Sequence, residues 1–168
     1  MIQGKSDKKP PECAGMVRDG PGCGQERERN GAMKIVIIDG QGGRLGKLLV
    51  EGVKARLPQA QVYALGTNGI ATSTMLKAGA DFGATGENPV VRGVIDADGV
   101  LGPVGVVVAN AILGEVTPAM AQAVGSCRAK KILVPMNSCG VIVAGVQEQP
   151  LSAYVVQAVE ELARELGV

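Results

Sequence analysis

KIVIIDGQGGRLGKLLVEGV, residues 34–53, decides how the rest of the chain is read. Lys34–Asp39 is a short continuous apolar run, as expected of a strand buried on both faces. Glycines crowd the next seven positions. Leu45, Leu49 and Val53 then recur at helical spacing until Pro58 stops the helix. A strand that turns through glycines into a helix suits a phosphate. Glycine permits the sharp turn and lets the anion reach bare backbone, and a further glycine lets the helix pack closely on the strand. The helix N-terminus presents unpaired N–H groups and the positive end of its dipole. The expected fold is α/β, a Rossmann-like three-layer arrangement with a mostly parallel sheet, and the expected partner is a phosphate-containing small molecule.

The spacing narrows the chemistry. Gly40, Gly43 and Gly46 satisfy G-x-x-G-x-x-G, whereas G-x-G-x-x-G fails at Leu45. A P-loop fails twice, with Gln41 in place of its first glycine and Leu48 in place of its magnesium-binding hydroxyl. Gly40, Gln41, Gly42, Gly43, Arg44, Leu45 and Gly46 are therefore the candidate cofactor-binding residues. Arg44 and Lys47 add positive charge, and a side chain at Gly43 is expected to fill the space the anion needs.

Outward from this turn, strand and helix signals alternate. Val62–Leu65 reads as a strand. Ile70–Ala78 reads as a helix capped by Asn68, with Gly79 just past its end. Asn88-Pro89 predicts the start of a short helix by cap plus proline. Val104–Ala109 fits strand or helix, and the helix is preferred, with Gly99–Gly102 as strand and Pro103 as turn. Lys131–Pro135 and Cys139–Val146 read as strands. Ser152–Leu166 reads as an amphipathic helix with Val155, Val159, Leu162 and Leu166 on one face. Such an order argues for parallel strands with helices on both faces.

Ligands of open parallel sheets bind beyond the carboxyl ends of the strands. Thr67 and Asn68 are thus two further candidate cofactor contacts, for a ribose or base; capping of the next helix is their other reading. Asp39, Thr85, Asn137, Ser138 and Cys139 also fall near strand ends. Asp39 reads as a hydrogen-bonding turn residue. Cys139 reads as a small buried hydrophobe, since the chain has no histidine to activate it. Glu87 and Glu115 read as solvated glutamates or as an acid and base. No metal site is predicted.

The 168 residues include 25 Gly but one Phe, two Tyr and no Trp, and the net charge is +1. Without a basic stripe or stacking aromatics, nucleic-acid binding is not expected. No run of 18 apolar residues exists, so no membrane span is expected. Few cysteines and no secretory signal point to the cytoplasm. Residues 1–32 carry six basic and five acidic residues, six glycines and no apolar period. They read as a disordered N-terminal extension, with Met33 a natural start and 33–168 the Rossmann-like nucleotide-binding domain. Cys13 and Cys23 in that segment, nine residues intervening, have poor zinc spacing. A chain beginning at Met33 is expected to melt cooperatively at an unchanged temperature; loss of cooperativity would show that the extension belongs to the core.

Residues 34–53 resemble the opening βα unit of atypical and extended short-chain dehydrogenase/reductases. That resemblance implies NADP or NAD as cofactor, with Gly40, Gly43 and Gly46 lining the pyrophosphate and Arg44 favouring the phosphorylated form. The family's catalytic Tyr-x-x-x-Lys is absent, because Ala158 follows Tyr154 and Thr67 follows Tyr63 at the lysine position. The phrases IDGQGGRLGK, ALGTNGIATSTMLKAGAD, GATGEN and NAILGEVTPAMA resemble a small conserved family of anaerobic bacteria with unknown function, over about residues 33–146. Together these features favour a nucleotide-binding sensor or regulatory module. The alternatives are a small oxidoreductase or other enzyme completed by a partner subunit, and a purely structural interaction protein. The many small aliphatic residues lead to the expectation of a homodimer through Ser152–Leu166.

Overall fold

A computed structural model describes residues 31–136 and 140–168, and every structural statement below concerns these residues. Its elements in order are β1 (Lys34–Asp39), α1 (Arg44–Arg56), β2 (Gln61–Gly66), α2 (Gly69–Lys77), β3 (Phe82–Thr85), α3 (Glu87–Gly93) and β4 (Gly99–Pro103). A single 3-10 turn (Val104–Val107), α4 (Pro118–Ser126), β5 (Lys130–Val134) and α5 (Leu151–Leu166) complete it. The strands form one sheet in the order β3-β2-β1-β4-β5, and every pairing is parallel. The Rossmann-like α/β fold expected from the sequence is the fold observed.

The apolar run of β1 is continuous because it meets protein on both sides. Ile35 and Ile37 pack into a core under α1, α2 and α5, while Val36 and Ile38 pack into a second core with α3 and α4. All four are at most 1% exposed, and each such burial stabilises by about 1.5–3 kcal/mol. Asn68 caps α2 as expected, its Oδ1 accepting the Ala71 N–H at 2.9 Å.

Several local expectations are corrected. Helix α3 begins one residue before Asn88, after Gly86 at φ 102°, so Asn88 lies inside the helix and is not its cap. The helix preferred for Val104–Ala109 is only the 3-10 turn Val104–Val107, because Pro103 leaves β4 in extended geometry and Val108 returns to it. The strand expected over Cys139–Val146 does not form within 140–146. Gly140 and Gly145 take φ 70° and 84° there, which breaks an extended run, and Ile142 is 90% exposed. Cys139, Asn137 and Ser138 lie outside the described residues, as do 1–30 with Cys13 and Cys23. Strand β3 and helix α4 are elements beyond those expected from the sequence. The apolar face of α5 packs within the chain: Val155, Val159 and Leu162 are buried in the first core, with Leu166 packed against it.

Candidate functional site

Asp39 is the last residue of β1, and its carboxylate turns onto the following backbone. Oδ1 accepts the Gly40 N–H at 2.8 Å and Oδ2 the Gly46 N–H at 2.6 Å. The carboxylate thereby does the work of a cap for α1, whose N-cap residue Gly43 has no side chain to offer. Burial raises the Asp39 carboxyl above its ordinary range; the Gly46 and Gly40 N–H groups oppose the rise and the charge of Glu115 adds to it. Lys47 does not neutralise Asp39, as it faces Glu51 at 3.8 Å. The hydrogen-bonding turn role read for Asp39 is the one it has.

The turn is tight because two of its residues are left-handed, Gln41 at φ 49° and Gly43 at φ 71°. The Gly43 N–H donates to the Gly40 carbonyl at 3.0 Å. A Cβ on Gly43 would lie 2.8 Å from Ala71 Cα. That glycine therefore faces α2, and the expectation that its side chain would enter an anion's space is corrected. A Cβ on Gly46 would lie 2.8 Å from Asp39 Cβ, so Gly46 permits the close approach of α1 to β1. Gly42 faces open space.

A cavity of about 240 Å³ opens beside the turn, where the chain leaves β1 toward β2 on one side and β4 on the other. Its walls are Asp39–Leu45 on one side and Pro103, Gly105, Ile112, Met136 and Leu151 on the other. Such a switch point is where ligands of open α/β sheets sit. The exposed Arg44 side chain belongs to the cavity wall. Among the described residues, the Gly42 and Arg44 N–H groups make no hydrogen bond, which leaves them able to meet an anion.

Thr67 and Asn68 lie across the turn, at the tip of β2, and do not line the cavity. Both donate to Glu115 Oε2, Thr67 through its hydroxyl and Asn68 through Nδ2 at 2.9 Å. The Gln41 N–H donates to the same oxygen at 3.0 Å. Partial burial alone would raise the Glu115 carboxyl, but the hydrogen bonds from Thr67, Gln41 and Asn68 outweigh it and hold the group below its ordinary range. Neither sequence reading of Glu115 described this role. The contact depends on a loop in which Asn110, Ile112, Leu113 and Gly114 have φ between 56° and 84°, closed by an Asn110 N–H to Val116 carbonyl bond of 2.7 Å. Left-handed backbone at Ile and Leu costs roughly 1–2 kcal/mol per residue. Two other expected residues are elsewhere: Thr85 shares a hydrogen bond of 2.6 Å with Thr72, and Glu87 is exposed in the first turn of α3.

Residues 34–167 match the family described as domain of unknown function DUF3842, and the chain belongs to it. The match reaches past residue 146, the limit of the resemblance seen in the sequence, to take in α5. No curated protein matches the chain. Among solved structures, it is similar to a dodecameric FMN-dependent Ubix-like decarboxylase from Escherichia coli O157:H7. Identity is 15% and the TM-score 0.48, over 81% of this chain and 96% of that one. No helix of the described residues is long and apolar enough to cross a membrane.

Proposed function

We propose that this protein is a nucleotide-binding module of sensing or regulatory type. A ligand phosphate rests on the Gly42 and Arg44 N–H groups, at the positive end of α1, with Arg44 as a mobile countercharge. The ligand's body lies in the cavity. The observation that carries this reading is that cavity, placed at the sheet's switch point and walled by the glycine turn. Gly40 to Gly46 thus act as a unit, some residues shaping the turn and others meeting the ligand, and NADP and NAD are among the nucleotides to test. Without histidine or a Tyr-x-x-x-Lys pair, binding without turnover is favoured. Exposure of Leu113 (94%), next in the chain to Ile112 of the cavity wall, keeps a second reading: an enzyme whose site a partner subunit, such as a second copy, completes. Turnover of a reduced cofactor would select the second.

Arg44→Ala is expected to weaken nucleotide binding by about 1–2 kcal/mol, the scale of a charge-assisted hydrogen bond, with the loss shrinking in high salt. Titration calorimetry at two ionic strengths reads both. The buried Asp39 adds a pH dependence. An anion seated beside it raises its carboxyl further, so binding takes up protons and strengthens as pH falls toward the raised Asp39 value. Calorimetry in buffers of different ionisation enthalpy measures that uptake. No uptake at any pH would place the phosphate away from Asp39, and an unchanged affinity in Arg44→Ala would show that the Arg44 side chain does not meet the phosphate.

A further inference from the structure

The two sides of the glycine turn differ. On the β4 side the cavity is open; on the β2 side Glu115 Oε2 sits so close that a Cβ on Gly40 would be 2.7 Å from it. A dinucleotide bound across a switch point needs both sides, one mononucleotide on each. We propose that Glu115 closes the β2 side and restricts the site to 5′-mononucleotides, excluding dinucleotides. This inference rests on the nucleotide-binding reading above and names the ligand class of the same site.

The donors that Thr67, Asn68 and Gln41 turn toward Glu115 are all taken. The single hydroxyl proton of Thr67 goes to Glu115. Both amide hydrogens of Asn68 are used, one on Glu115 and one on the Gln41 carbonyl at 3.0 Å, while its Oδ1 caps α2. The Gln41 N–H also goes to Glu115. A ribose arriving there would have to displace the carboxylate from three donors, and a phosphate would meet its negative charge as well. The same contacts hold the strained backbone: Gln41 at φ 49° is gripped through its N–H by Glu115 and through its carbonyl by Asn68. The left-handed run from Ile112 to Gly114 brings Glu115 to this position. Strain of that kind persists where surrounding contacts over-determine it.

The test is calorimetric titration of the full chain with AMP, FMN, NAD⁺ and NADP⁺, repeated on Glu115→Ala and Glu115→Gln. Wild type is expected to bind at least one mononucleotide about tenfold or more tighter than either dinucleotide. Glu115→Ala is expected to raise dinucleotide affinity relative to mononucleotide affinity about tenfold. If the alanine variant fails to fold, Glu115→Gln decides. It removes the charge at similar size and is expected to raise NADP⁺ affinity about threefold or more. Wild type binding a dinucleotide as tightly as every mononucleotide would overturn the proposal, as would a folded variant with the wild-type preference. Absence of any nucleotide binding in wild type and folded variants alike would overturn the underlying reading.

Discussion

Gly43→Val is expected to lower the unfolding free energy by about 2–5 kcal/mol, read as a drop in the urea midpoint at unchanged slope. Two costs add. Gly43 holds φ 71°, a conformation that penalises a β-branched residue by about 1–2 kcal/mol or more. Its new Cβ would also meet backbone, 2.8 Å from Ala71 Cα and 2.9 Å from the Ala71 carbonyl oxygen. Backbone within a helix cannot rotate away as a side chain can, so α2 must shift, an overpacking cost of about 1–3 kcal/mol. Gly42→Val is the control. Its side chain points into open space, so stability should change by only about 0.5 kcal/mol while nucleotide binding weakens. If Gly43→Val kept its stability and lost only binding, the packing of that glycine on α2 would be wrong.

Leu162→Ala should cost about 3–4 kcal/mol, which in a domain of this size corresponds to roughly a 10 °C fall in melting temperature. Leu162 is fully buried in the core beneath α5. Its Cδ1 reaches within 2.5 Å of where a Gly99 Cβ would stand, so the side chain fills the space that glycine leaves on β4. Alanine would leave a cavity there that neither β1 nor β4 can close. The loss should not depend on protein concentration, because the face carrying Leu162 packs inside its own chain. A loss that faded at high concentration would return α5 to an interface between copies.

The parts of the fold that could be read from residues are those whose local signals agree with their surroundings. Lys34–Asp39 announces itself because both faces are buried, and Asn68 caps the helix that follows it. Cap plus proline is less dependable: at Asn88-Pro89 Gly86 starts the helix earlier, while at Thr117-Pro118 the Thr117 hydroxyl does cap α4, accepting the Met120 N–H at 3.2 Å. Strand β3 has four residues of alternating partial exposure, too short for periodicity. It is held partly by a long-range contact, Phe82 stacking on Tyr63 at 4.6 Å. For the site, the glycine spacing located the turn, but the direction in which each missing Cβ would point depends on α2 and Glu115. Nothing near Glu115 in sequence signals that it meets Thr67, 48 positions away. That meeting needs left-handed backbone at Ile112 and Leu113, which side-chain preference argues against.

Among the described residues, the open sheet leaves two strands, β3 and β5, with one side unpaired. Exposed hydrogen-bonding edges invite neighbouring molecules to extend the sheet, the first step toward fibrous aggregation. Both ends of this sheet discourage it. Strand β3 is only four residues long and includes Gly83, a poor template for a docking strand. Strand β5 opens with Lys130 and Lys131, both exposed, and Pro135 follows it directly. An incoming copy aligned in parallel register would bring like charges together at one end and lose a backbone donor at the other. In a chain rich in valine and alanine, with a sheet this apolar, the guard against sheet extension thereby lies at the margins of the sheet rather than over its faces.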